Sequence, residues 1–260
     1  MDIVDYILKI THRIWEEKGI GVIYDTYANN CLVHSGDSTS TGVSGVIANT
    51  LMTLHAFPDR RLMAEDVMWS EDSPGVFLSS HRILSTGTNL GDSNFGPATG
   101  KKSISARLPT VHVPKEEWLV RDNLWIVQQL GLNPWELAAK MAAGQPAKQV
   151  YGRDECMEGQ LIPEAYRAKD SSVGEQVLEL LNEVYNRKLI NRICDFYADN
   201  AMVHSICNQD QIGHDEIQGA VISLLSSFPN ARMIVESWEI YDGLDVMRQL
   251  CLGDEPATEA

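Results

Sequence analysis

Ile3, Ile7, Ile10 and Ile14 fall on one helical face, and the pattern stops at Gly19 and Gly21, so the chain is expected to open with an amphipathic helix. A short second helix is read over 23–27, and "CLVHS" after it reads as a strand. Over 43–55, Ile47, Leu51 and Leu54 share a face. That helix ends before "FPDRR", because Pro58 holds the residue before it out of the helical region. Alternation and β-branched content then predict four strands, "RRLMAEDVMW", "GVFLSSHRILSTGTN", "KKSISARLPTVHV" and "EEWLVRD", with Gly, Pro, Asn and Asp marking the turns. A helix in "NLWIVQQLGL" closes the run. The layout is α+β: helices on one face of a curved mixed or antiparallel sheet.

Residues 1–140 carry that whole pattern. Over 141–171 periodicity is weak and Gly and Pro are scattered, which reads as a linker. Ser172 with Glu175 three residues on forms a capping box ahead of Val177, Leu180, Leu181 and Val184. From here the text repeats. Ten of eighteen positions agree between 18–35 and 188–205 at a constant offset of 170, including Asp25/Asp195, Tyr27/Tyr197 and His34/His204. At offset 171 the match resumes with Gly42/Gly213, Leu54/Leu225, "FP" against "FP", Arg61/Arg232 and Glu65/Glu236. Beyond Glu236 the register jumps to offset 120, where "ESWEIYDGLDVMRQL" lies against "EEWLVRDNLWIVQQL". The expected reading is a tandem duplication whose second copy, 172–253, lacks the counterparts of about fifty central residues, followed by a tail over 254–260.

The net charge of −15 argues against nucleic acid, which needs clustered Lys and Arg. No apolar run approaches the roughly 20 residues of a membrane helix, and acids stand where a leader would be basic, so a cytoplasmic protein is expected. The five cysteines show no CxxC spacing, so no metal site or disulfide framework is signalled. Phosphate-binding glycine loops, serine nucleophile elbows and HExxH zinc motifs are likewise missing, and no cofactor is implied.

The helical pair, "YANNCLVHS", "FPD", "GTNLGDSNFGPATGK" and "EEWLVRDNLWIVQQLGL" together resemble the SnoaL-like polyketide cyclases and their ester-cyclase-named relatives. These belong to the nuclear-transport-factor-two-like (cystatin-like) superfamily. The resemblance implies a cone-shaped fold around an apolar pocket, a small-molecule substrate and a homodimer. It implies a cofactor-independent aldol cyclisation or isomerisation of an apolar carbonyl compound, with the Asp before the "QLG" helix as general acid/base. A non-catalytic binding or assembly module of the same fold is the alternative. The Asp is Asp122 here, and Asp242 in the second copy. On a strand Trp118, Val120 and Asp122 would share one face, placing the acid in apolar surroundings that raise its pKa. Asp122 could equally cap the helix that starts near Leu124. His34, at the end of the first strand, is the second catalytic candidate, with a structural hydrogen bond as its other reading. His81 and Arg82 are adjacent, so one faces the pocket and the other does not. His112, Trp69, Trp118 and Val120 complete the expected substrate-binding set. Asn89 stands where many relatives carry His in "GTHxG", and Pro114 points to a shortened sheet.

Overall fold

The computed structural model describes residues 2–35, 38–113, 116–143, 172–229 and 247. They fall into two compact units, Met1–Gln160 with Tyr241–Ala260, and Leu161–Ile240. The strand expected near 232–241, the helix over 243–250 and Asp242 lie outside the described residues, as do 144–171.

The first unit is α+β. Helix α1 (Ile3–Trp15) starts at Asp2, whose side chain accepts from the Val4 and Asp5 N–H groups. This satisfies donors that a helix start leaves open. Helix α2 (Val22–Thr26) follows, then strands β1 (Leu32–Ser35) and β2 (Ser38–Thr41), then helix α3 (Gly42–Ala56). Strand β2 departs from the expected single strand here: "GDSTST" carries turn residues, and its pairing with β1 rather than its composition makes it a strand. Strands β3 (Arg61–Ser73), β4 (Val76–Thr88), β5 (Lys102–Val113) and β6 (Glu116–Leu119) lead to helices α4 (Asn123–Gln129) and α5 (Pro134–Ala143).

The six strands form one mixed sheet in the order β2-β1-β6-β5-β4-β3, with β1 and β6 parallel and the other pairs antiparallel. Ile14, Val22, Ile23, Cys31, Val33, Val43 and Val46 form its core, with Trp15, Tyr27 and Leu119 packed against them. One face of the sheet is thus covered by α1, α2 and α3. The loop between β4 and β5 is tied down by Asn89, which is fully buried. Its amide donates to the Gly91 carbonyl at 2.8 Å and accepts from the Thr99 N–H at 2.8 Å. A side-chain amide here serves a structural purpose that needs no proton transfer.

The second unit contains helix α6 (Ser172–Leu180), a π-helical continuation (Leu181–Asn186), a 3-10 turn (Ile190–Arg192), helix α7 (Ile193–Phe196), the hairpin β7 (Met202–His204) with β8 (Asp210–Ile212), and helix α8 (Gly213–Ser227). Its core is Val184, Ile193, Ile217 and Val221. Local geometry recurs between the units. Lys18 and Lys188 both adopt φ 59°, and Gly42 and Gly213 adopt 74° and 73°. The Gly42 N–H donates to the Cys31 carbonyl at 2.7 Å, and the Gly213 N–H to the Ala201 carbonyl at 2.8 Å. Helices α3 and α8 each run 15 residues and end on Phe57 and Phe228 in the same backbone conformation. No helix among the described residues is long and apolar enough to cross a membrane.

Candidate functional site

Strand β6 is four residues long and is held by β1 on one side and β5 on the other. Its pairing with β1 sets Val33 beside Glu117 and His34 beside Trp118. Val33 is in the core, so Glu117 takes the helix-covered face and is 7% exposed. Trp118 takes the other face, 37% exposed, stacked on His34 with ring centres 5.4 Å apart.

Glu117 is enclosed by groups from two other elements. Tyr27, at the end of α2, donates its hydroxyl to Glu117 Oε2 at 2.9 Å. Cys31, 3% exposed, belongs to the same core. Burial raises the Glu117 carboxyl from 4.5 to about 7, and the Tyr27 hydrogen bond and the Arg121 charge offset only part of that rise. The neighbours respond in kind. Burial first, then the Glu117 charge, holds the Tyr27 phenol well above its ordinary value, and the same two causes raise the Cys31 thiol.

On β4, His81 is 2% exposed, and its Nε2 lies 3.1 Å from Ser79 Oγ. His81 lines a cleft of about 40 Å³ beneath α1, with Ile7, Thr11, Leu62, Val67 and Ile83 among its walls. In the strand register the row of Glu117 runs next to the row of His81. Ser79 pairs with His112 and His112 with Glu117, while in the adjacent row His81 pairs with Thr110 and Thr110 with Leu119.

The residues expected from the sequence divide accordingly. His81 faces the helices and Arg82 does not; Arg82 Nε is 3.2 Å from Glu65 Oε2 on the opposite face. His112 occupies a register position between Ser79 and Glu117. His34 Nδ1 lies 3.1 Å from Thr39 Oγ1, and with Trp118 it sits on the face away from the helices. Trp69 is half exposed and meets Phe77 edge-on at 5.9 Å. Trp118, Val120 and Asp122 do not share an inward strand face, because the strand ends at Leu119. Asp122 is instead the N-cap of α4, its Oδ1 accepting from the Trp125 N–H at 3.1 Å.

The sequence reading passed over Glu117 and Tyr27. Tyr27 carried a signal, since it stands in both copies of the repeated nonapeptide. Glu117 carried one only through the register of β1 against β6. Among the described residues no group of three His, Cys, Asp or Glu side chains is placed to hold a metal ion.

No protein-family model matches the chain, and no curated protein matches it. Solved structures similar to it include three proposed polyketide cyclases. A SnoaL-like one from Jannaschia sp. CCS1 is 16% identical, over 49% of this chain and 92% of that chain, with a TM-score of 0.42. IdmH from Streptomyces antibioticus is 19% identical, over 51% of this chain and 100% of that chain, TM-score 0.41. The third, from Acidithiobacillus ferrooxidans, is 23% identical, over 49% of this chain and 92% of that chain, TM-score 0.41.

Proposed function

We propose that the chain is a cofactor-independent enzyme acting on a small apolar carbonyl compound, by aldol cyclisation or isomerisation, with Glu117 as its proton-transfer group. The observation that carries this is a carboxylate 7% exposed in an apolar core, aligned by the Tyr27 hydroxyl and raised to about 7. A carbonyl compound loses its α-proton to a base, and a carboxylate near pKa 7 is both present as the base at neutral pH and able to return the proton. The Tyr27 O–H donates to Glu117 Oε2 and orients the carboxyl. Ser79 and His81, both on β4 two strands from β6, supply polar groups on the same face.

This reading replaces Asp122 by Glu117 as the acid/base and keeps Asp122 as the competing assignment. Exchange of deuterium from solvent into the α-carbon of cyclic ketones, hydroxyquinones and short β-keto esters reads proton abstraction without knowledge of the product. Glu117→Gln is expected to slow exchange at least about a hundredfold, since a positioned acid/base typically contributes about 10² to 10⁴. An inert Glu117→Gln beside a hundredfold slower Asp122→Asn would hand the role to Asp122.

The second reading is a non-catalytic binding or assembly module. The cleft under α1, about 40 Å³, favours it, being far smaller than the roughly 300 Å³ at which ordinary ligand pockets begin. Absence of exchange with every compound, together with unchanged melting in their presence, would support that reading.

The recurring geometry of the two units supports a tandem duplication, and the second copy is read as inactive. Its counterparts of Cys31, Arg60 and Glu117 are Ala201, Ala231 and Ser237. A homodimer is part of the same reading: Met68 and Trp118 are exposed on the uncovered face of the sheet, where a second copy can bury them.

A further inference from the structure

Glu117 is 7% exposed, so a proton that it gives up or retakes reaches water through other groups. The sheet register sets such groups in a row. Glu117 pairs with His112 across β6 and β5, and His112 pairs with Ser79 across β5 and β4. Residues paired across strands share a face, with Cβ atoms about 4.5–5.5 Å apart. Position 112 therefore has Glu117 on one side and Ser79 on the other. Ser79 is 4% exposed, and its Oγ lies 3.1 Å from His81 Nε2. His81, 2% exposed, is the inner wall of the cleft beneath α1. That cleft, about 40 Å³, runs from His81 past Thr11 to His12. The His12 side chain is about half exposed and meets Glu16 Oε2 at 3.3 Å, so the cleft joins a buried ring to the surface. Its volume takes about two or three waters. Leu62, Val67 and Ile83 make the rest of the wall apolar. Transfer energy favours an apolar side chain over a serine or a histidine at such buried positions. What serine and histidine offer instead is one donor and one acceptor each, which is what passing a proton requires.

We propose that His112, Ser79 and His81 form a relay that carries the Glu117 proton to and from the cleft under α1, which is its port to solvent. The purpose of the relay rests on the reading of Glu117 given above; the path stands on register, burial and the cleft. In unloading, His112 takes the Glu117 proton at one ring nitrogen and gives one from the other to Ser79 Oγ. Ser79 passes its hydroxyl proton to His81 Nε2. His81 releases one from its second ring nitrogen to cleft water, which becomes hydronium. Each relay group ends with as many protons as it began with, and Glu117 is one short. Reloading runs the steps in reverse and restores the starting tautomers.

The full chain is put through a rapid pH jump, and protonation of Glu117 is followed in time by the infrared carboxyl band that Glu117→Gln lacks. Ser79→Ala and His112→Phe should each slow it at least about tenfold, as loss of a positioned proton carrier predicts. Thr11→Leu, which fills the cleft and leaves the row intact, should slow it as well. Ser79→Thr keeps the hydroxyl and should restore most of the wild-type rate. An unchanged rate in Ser79→Ala, His112→Phe or Thr11→Leu overturns the relay. So does a Ser79→Thr as slow as Ser79→Ala, since the serine would then matter only for packing. Should the two variants in the row fail to fold, Thr11→Leu decides alone. None of these rates depends on turnover. A wild type that exchanges no α-proton with any compound, while the infrared rates differ as stated, would sink the enzyme reading and leave the relay; normal α-exchange with equal infrared rates would do the reverse.

Discussion

Replacing Glu117 by Gln keeps the shape of the side chain and its ability to accept from Tyr27, and removes only the ionisation. The folded-state value of about 7, against 4.5 in the ordinary case, means that the folded chain binds the proton more tightly than the unfolded one. Stability is therefore fully present below pH 4.5 and is lost progressively as pH rises toward 7. Between pH 5 and pH 8 the loss amounts to about 2.5 kcal/mol. Gln has no such loss, so the variant should equal or trail wild type at pH 5 and exceed it by about 2 kcal/mol at pH 8. Proton exchange should fall at least about a hundredfold over the same range. Urea unfolding at the two pH values, read by tryptophan fluorescence, measures the first quantity. Five of the six tryptophans lie in the first unit by residue number, so the signal reports mainly on the unit that contains Glu117. A variant that is more stable and less active is the signature of a group kept for chemistry. Equal destabilisation at both pH values would refute the reasoning, because Glu117 would then be only a hydrogen-bond acceptor for Tyr27.

Tyr27→Phe removes the donor that holds Glu117 down, so the pH profile of exchange should move to higher pH, and stability should drop by about 1–2 kcal/mol; an unmoved profile would detach Tyr27 from Glu117. Asp122→Ala should weaken the first unit by about 1 kcal/mol through loss of the α4 cap, whereas Asp122→Asn, itself a good cap, should be close to neutral in urea unfolding. Asn89→Ala strands the buried Gly91 carbonyl and Thr99 N–H and should cost about 3 kcal/mol, measured the same way. Sedimentation at micromolar concentration should show a dimer; a 28.9 kDa species would contradict it.

Much of the fold was legible because its signals are long. Helix α1, with its isoleucine stripe, spans 13 residues, and β3, β4 and β5 run 12 or 13 residues each, enough periodicity to declare themselves. Strand β2 was not legible, since Ser38–Thr41 owes its conformation to β1 rather than to its own composition. The inward polar pairs, Glu117 with Tyr27 and Arg60 with Ser85, were obscured for a related reason. Charged residues are assigned to the surface by default, and the partners that overturn the default lie 90 residues apart for Glu117 and Tyr27 and 25 for Arg60 and Ser85.

The face taken by β6 shows where that limit falls. In "EEWLVRD" two alternations compete: one buries Trp118 and Val120, the other buries Glu117 and Leu119. Judged by transfer energy alone, the tryptophan belongs inside and the glutamate outside. Only four residues are strand, too few for composition to settle the parity, and a slip of one residue exchanges the two faces. The decision comes from β1, whose Val33 is held in the helical core while His34 reaches Thr39 on the hairpin. Parallel pairing then carries Glu117 inward with Val33 and sends Trp118 outward onto His34. The arrangement leaves an indole partly in water and a carboxylate out of it, against both transfer preferences. A carboxyl that has to give up and retake a proton near neutral pH gains its raised pKa from that burial. An indole exposed on the open sheet face leaves apolar area for a second copy to cover. Both departures from the simplest pattern are thus accounted for by the proton transfer and the dimer proposed here, and Glu117→Gln and sedimentation test them independently.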